Sequence, residues 1–348
     1  MDYLNNTYLP ATALEAEQSV EEKTQAVYRS VLADLDARHS AYLARAEGGG
    51  SGSTGALADQ RYKRGDVISL SSGSGLLLLA GSAAVGYPSG GAVIDVTAGQ
   101  VVGNGSALAA RHYYLAGEYT TAAVTITSDT AVISAEGSVA LSPSGEVDYN
   151  ALAGALKELG LFRGSATAYG SGYDLELAPT RIEGLVMFLR LMGEEEAALS
   201  YQGSDPFWDT PEWCRRYTAY AYDKGYTKGV GEDEAGRLCF GTSNPMTAGE
   251  YLTFLLRALG YSDSGDLPDF TWEDAVGKSA VFGVITPGEQ RMLSEKPFLR
   301  AQVAYTSYFA LSAPRKSGET LLAYLTASGA LDSGRVLEVM GGVTVPRL

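Results

Sequence analysis

Between residue 62 and about residue 143, short apolar runs alternate with Gly, Ser and Pro, at 67–70, 76–79, 93–96, 113–115, 122–127, 131–134 and 139–141. Runs this short, spaced near ten residues and bounded by turn residues, predict strands of a small β-sandwich or barrel. Ala122-Ala123-Val124-Thr125-Ile126-Thr127 alternates strictly and should bury one face. Upstream the period changes. Val20, Val27, Val31, Leu35 and Tyr42 are seven, four, four and seven residues apart, with charged residues between them. That spacing predicts one long helix over 11–46, and its apolar stripe predicts a coiled-coil stalk; a helix folded back on its own domain is the other reading. Gly48-Gly49-Gly50-Ser51-Gly52-Ser53 follows as a flexible linker.

Beyond residue 147 the apolar period is helical, and one pattern recurs. Thr180-Arg181-Ile182-Glu183 runs into Leu185, Phe188, Leu189 and Met192, and Thr247-Ala248-Gly249-Glu250 runs into Leu252, Phe254, Leu255 and Leu256. Thr followed three residues later by Glu, ahead of an apolar run, is a capping box. In both copies an Arg follows the Glu by seven residues and a Gly by ten, where a helix would end in the left-handed conformation. A worn third copy reads Leu299-Arg300-Ala301-Gln302, then Val303, Tyr305, Phe309 and Leu311. Each copy has a preceding helix that ends in a Gly-x-x-x-Gly-type turn, at Gly160–Gly164, Gly225–Gly229 and 283–288. A two-helix unit cannot bury its apolar face alone, so three should close around a shared core.

These residues resemble the S-layer homology domain, a bacterial surface module found in tandem copies. Phe207-Trp208-Asp209, Trp213, Gly225, Gly229, Asn244-Pro245-Met246 and the stretch from Thr247 to Gly260 follow its order, and the resemblance spans about residues 148–335. It implies a three-spoked helical assembly whose grooves hold acidic secondary cell-wall polysaccharide, often bearing a pyruvate ketal. It also implies that the motif Arg meets the sugar carboxylate, a task suited to a planar guanidinium fork. Carried over by position, that role falls to Arg181 and Arg300, and the candidate glycan-binding residues also include Thr180, Glu183, Thr247 and Glu250 at the helix starts. Ala248 breaks the pattern in the second copy, and Leu299 and Gln302 replace Thr and Glu in the third. Trp208, Asp209 and Trp272 stand at repeat starts, where a ring could stack on sugar.

Charge narrows the partners. The net charge is −15 with only 26 basic residues, which excludes a general affinity for nucleic acid and disfavours a generic attraction to anionic walls or membranes. Binding to an acidic polymer then requires local Arg placement. No stretch is long and apolar enough to span a membrane, and Met1-Asp2-Tyr3-Leu4-Asn5-Asn6 carries no basic segment leading into an apolar core, so no signal peptide is expected there. A surface location then implies a processed or truncated form, or export by another route such as within a virion.

Catalytic constellations do not assemble. His39 and His112 are the only histidines, and neither has a triad or metal-ligand pattern around it. Gly73-Ser74-Gly75 and Gly170-Ser171-Gly172 lack the nucleophile-elbow context. Glu194-Glu195-Glu196 and Glu232-Asp233-Glu234 read as solvated surface charge. Cys214 and Cys239 could pair or stay as thiols. The expectation is a non-enzymatic protein without cofactor or metal.

The fold class expected is multidomain α+β: a helical stalk (1–47), a linker (48–61), a β-sandwich or barrel module (62–146), an all-α assembly of three repeats (147–204, 205–263 and 264–335) and a tail (336–348). The function expected is anchoring to cell-wall polysaccharide at the cell surface, with the β-module displayed and the stalk making a homo-oligomer, without nucleic-acid binding or membrane insertion. The alternatives are a phage fibre or receptor-binding component that recognises host wall glycan, and a scaffold for protein–protein contacts.

Overall fold

The structure is a computed structural model that describes residues 60–164 and 174–348. The expected stalk and all but the last two residues of the expected linker lie outside the described residues.

Eleven strands come first: β1 (Gln60–Lys63), β2 (Val67–Leu70), β3 (Gly75–Ala80), β4 (Ala83–Gly86), β5 (Val93–Asp95), β6 (Gln100–Val102), β7 (Ala107–Leu108), β8 (His112–Ala116), β9 (Ala122–Ile126), β10 (Thr130–Glu136) and β11 (Val139–Ser142). They form two antiparallel sheets, ordered β1-β10-β3-β8-β5-β6 and β11-β2-β9-β4-β7. Alternation fixes the register. Ile68 and Leu70 pair with Val124 and Ala122 in one sheet, Leu76 pairs with Tyr114 in the other, and all six are buried in one core. Four strands escaped the sequence pattern. β1 is a polar edge strand that buries only Tyr62, and β4, β6 and β7 are two to four residues long.

The remaining chain is mostly helical: α1 (Tyr149–Glu158), α2 (Arg181–Leu191), α3 (Glu195–Leu199), α4 (Arg215–Asp223), α5 (Ala248–Ala258), α6 (Ala275–Val281), α7 (Pro287–Glu295), α8 (Arg300–Ala310), α9 (Leu321–Ala327) and α10 (Ser333–Gly341). α2, α5 and α8 are the three repeated helices. α2 packs against both of the others, and their buried faces join a single core. Phe188 and Phe254 meet with ring centroids 5.7 Å apart, and the Tyr251 and Ser307 hydroxyls are 2.7 Å apart. Both expected capping boxes form: Thr180 Oγ1 accepts from the Glu183 N–H and Thr247 Oγ1 from the Glu250 N–H, while each Glu carboxylate accepts from its cap's own N–H at 2.8 Å. The third copy keeps half a box. Leu299 has no side-chain acceptor, but Gln302 Oε1 still accepts from the Leu299 N–H at 3.0 Å. Gly193 and Gly260 end α2 and α5 at φ +69° and +92°, the left-handed conformation that favours glycine.

Two of the three repeat junctions interlock in the same way. The first two amides of α2, Arg181 and Ile182, donate to the carbonyls of Asn244 and Thr242, in the loop before α5. The first two of α8, Arg300 and Ala301, donate in the same way to Leu177 and Leu175, in the loop before α2.

The expected fold class needs correction. The described residues form one compact unit, not separate β and α modules. Asp129, between β9 and β10, accepts from Lys296 Nζ at 2.7 Å and Gln302 Nε2 at 2.9 Å, and Asn150 Nδ2 of α1 donates to the Tyr62 carbonyl of β1. Such pairings link residues 88 to 173 positions apart, so local periodicity carries no trace of them. Nor is the repeat region all-α, because Gly231–Glu232 (β12) and Leu238–Cys239 (β13) pair as a short hairpin in the second repeat. Among the described residues no helix is long and apolar enough to cross a membrane.

Candidate functional site

A cavity of about 500 Å³ opens where the first repeat meets the second. Arg181 enters it from the start of α2, and Glu250, Thr253, Phe254 and Arg257 line it from α5. Lys228 and Val230 come from the turn after α4, and Asp263 and Trp272 close it from beyond α5. Three cations thus face two carboxylates, in a chain of net charge −15.

Arg181 Nη1 donates to Glu250 Oε1 at 2.7 Å, and its guanidinium lies 5.1 and 5.2 Å from the Phe240 and Phe254 ring centroids. It is only 5% exposed, and its Nε is buried without a hydrogen-bond partner. Burial lowers its pKa from the ordinary arginine value, opposed by Glu250. In the same groove, Asp263 sits between two cations. Arg257 grips it with Nε at 3.2 Å and Nη2 at 2.5 Å, and Lys228 Nζ donates to it at 2.9 Å. Arg257 Nη1 also donates to the Tyr226 carbonyl at 2.8 Å. Burial alone would raise the Asp263 carboxyl, but the hydrogen bonds and charges of Arg257 and Lys228 outweigh it and hold it at about 2.

The same cluster recurs at the corner between the third and first repeats. Glu195 accepts from Arg190 Nε at 2.9 Å and Nη2 at 2.7 Å, with Arg163 Nη1 at 3.4 Å. Arg190 occupies the place in α2 that Arg257 has in α5, and Arg163 occupies the place in its Gly-x-x-x-Gly turn that Lys228 has. Burial opposes ionisation of Glu195, and Arg190 overcomes it, so its pKa is lowered. Arg300, at the start of α8, matches Arg181. It is buried, burial lowers its pKa, and the charges of Glu183 and Asp174 counter that effect. The third corner keeps none of this. Ala248, Gln302, Phe309 and Thr286 stand where the other corners have Arg, Glu, Arg and Lys or Arg.

The residues singled out in the sequence therefore divide. Arg181, Glu250 and Trp272 meet in the cavity, and Trp272 is 64% exposed there. Thr180 and Thr247 serve their caps; Glu183 caps α2 and also acts on Arg300. Asp209 is a loop tie: its carboxylate accepts from the Phe240 and Gly241 N–H groups at 2.7 and 2.8 Å. Trp208 is half exposed, lies under the Arg237 guanidinium at 3.6 Å, and donates its indole N–H to Cys239. Cys214 and Cys239 are free thiols.

One acidic cluster differs from the reading of it as solvated charge, while Glu232 and Glu234 of the other are exposed. Glu195 is buried in its Arg clamp, and Glu194 accepts from the Tyr220 and Tyr226 hydroxyls at 3.2 and 3.1 Å. Between Glu232 and Glu234, Asp233 makes a surface pair with Arg237 at 2.7 Å, in keeping with solvated charge. The sequence reading missed the triads around Asp263 and Glu195. Their signal was present: an Arg seven residues past the cap Glu, twice, and a cation at the same place in two glycine turns. His112 Nδ1 pairs with Asp95 at 2.7 Å in the β-sandwich, and His39 lies outside the described residues. Among the described residues no cluster of His, Cys, Asp and Glu is arranged to hold a metal ion.

No family model matches the chain, and no curated protein matches it either.

Proposed function

We propose that the repeats bind an acidic cell-wall glycan, with a sugar ring on Trp272 and a carboxylate held among Lys228, Arg257 and Arg181. The observation that carries this reading is the local reversal of charge. A strongly acidic chain gathers three cations and an exposed indole around one cavity of sugar size, one cation being the buried, partly unpaired Arg181. A neutral sugar would not need that excess, and a polyanion without rings would not need the indole. The matched cluster at Arg300, Arg190 and Arg163 supports a second groove of the same kind. The reading includes no chemical step: the protein anchors, and the β-sandwich stays fixed to the anchoring repeats.

The test is cosedimentation of the full chain with bacterial wall sacculi, before and after removal of their acidic secondary polymer. Pelleting should depend on the polymer and weaken with salt. Trp272→Ala and Lys228→Ala suit the test best, because both side chains are at least half exposed and the fold does not rest on them. Each should weaken binding about tenfold, in line with loss of one stacking or charged contact. Equal pelleting with stripped walls would defeat the proposal.

A further inference from the structure

At the third corner the groove is filled by the chain itself. After α10 the residues 343–348 form neither helix nor strand, and Val343 and Val345 pack on the helical core. Arg347 then lays its guanidinium 5.4 Å from the centroid of Phe309, the residue standing where α2 and α5 have Arg190 and Arg257. Its Nη2 donates at 3.0 Å to the carbonyl of Val284. Val284 is the residue after the first glycine of its turn, as Tyr226 is, and Arg257 bonds the Tyr226 carbonyl. Arg347 thus restores from the tail the guanidinium that the helix has lost. Its carboxylate partner is also new: Glu289 of α7, 2% exposed, accepts from Nε at 2.7 Å and Nη2 at 2.9 Å.

Leu348 completes the fit. Its N–H donates to Tyr305 Oη at 2.8 Å, and its carbonyl accepts from Thr286 Oγ1 at 2.6 Å. Thr286 and Tyr305 match Lys228 and Thr253 of the open groove. The backbones approach so closely at Gly288 that a Cβ there would lie 2.8 Å from the Leu348 carbonyl carbon. From the other side Asp129 of the β9–β10 turn meets Gln302, the residue at the position of Glu250. Asp129 and Leu348 line one residual cavity of about 330 Å³.

We infer that the third corner is a socket for the chain's own residues, filled by Arg347 and Leu348 of the tail and by Asp129 of the β-sandwich, and is not a ligand groove. Its clamp has been rebuilt to hold the tail and the sandwich against the repeats.

Hydrogen exchange on the full chain, without any sugar, tests this. Arg347→Ala should speed exchange of the Glu289, Gln290 and Leu348 amides about tenfold or more, because it leaves the buried Glu289 carboxylate without a cation. Arg347→Lys, which keeps the charge but loses the fork, should fall between. Glu289→Gln added to Arg347→Ala should change little further, since the two act as one pair. Gly288→Ala probes the fit independently. In a bare helix it would be neutral or stabilising, but here it should expel the tail and reproduce the Arg347→Ala pattern. Exchange within about twofold of the parent in both Arg347→Ala and Gly288→Ala, or additive effects of Arg347→Ala and Glu289→Gln, would overturn the inference.

Discussion

Arg181 and Lys228 face the same cavity but are held very differently, and their substitutions should separate cleanly. Arg181 is buried against two rings and pairs with Glu250. Arg181→Ala leaves that carboxylate without its cation and should cost about 3–5 kcal/mol. Lys228 is half exposed, and Lys228→Ala should cost no more than about 1 kcal/mol. Denaturant unfolding of the two variants measures the contrast, and equal costs would mean that Arg181 is not the buried partner described. The carboxylates give a pH signature. Asp263, Glu195 and Asp129 all have lowered folded-state pKa values, each because its cations outweigh burial. A depressed carboxylate pKa contributes stability above the unfolded value, and that stability is lost as pH falls. Melting temperature should therefore decline from about pH 4 toward pH 2, and Asp263→Asn should flatten part of the decline. These residue-level clamps were only half legible in the sequence. The Arg and the turn cation recur visibly, but their anions do not: Asp263 follows Arg257 by six residues and Glu195 follows Arg190 by five. Position alone could not match them.

At the scale of elements, caps and stops were the most readable features, because they depend on neighbours along the chain. Thr180, Thr247 and their glutamates form the boxes that the spacing implied, and Thr180→Ala should cost about 1 kcal/mol in chemical unfolding. The stop glycines offer a finer test. Gly160 and Gly193 share a positive φ, but a Cβ at Gly160 meets open space while one at Gly193 would lie 2.7 Å from Ala330 Cβ. Gly160→Ala should cost about 1 kcal/mol from backbone strain alone, and Gly193→Ala measurably more, since the loop before α10 must also move. Strands were legible where alternation was long enough. The β2 and β9 runs gave the elements, and alternation in β9 also gave one buried face, whereas β1 is a polar edge strand with one inward ring. The α7 cap, Thr286 with Glu289 and Pro287 between them, follows the same rule as the others and went unread inside the glycine turn.

For the whole molecule, the threefold pattern is real in the backbone and uneven in the side chains. Two corners keep Arg-carboxylate-cation clusters, and the third has been remade to receive the tail and the sandwich. The loss was visible in the sequence at Ala248, Leu299 and Gln302; what replaced it was not, because Arg347 lies 38 residues beyond Phe309 and Asp129 lies 173 before Gln302. Asp129 is the hinge of this arrangement. Asp129→Ala removes the acceptor shared by Arg64, Lys296 and Gln302 and should cost about 2–3 kcal/mol. Limited proteolysis should then cut first between the sandwich and α1; an unchanged cleavage pattern would show that the seam does not depend on it.

The seam also decides how the molecule would carry tension. If the repeats anchor the chain as proposed, tension from upstream reaches β1 first among the described residues, and its Tyr62 carbonyl is tied to Asn150 of α1. Because Asp129 bridges the sandwich to Lys296 and Gln302, force has a second route into the repeats that bypasses the covalent link through residues 143–148. Stretching from β1 would load the Asp129 contacts as well as the covalent link, so the third corner would share that load between the sandwich and the repeat helices.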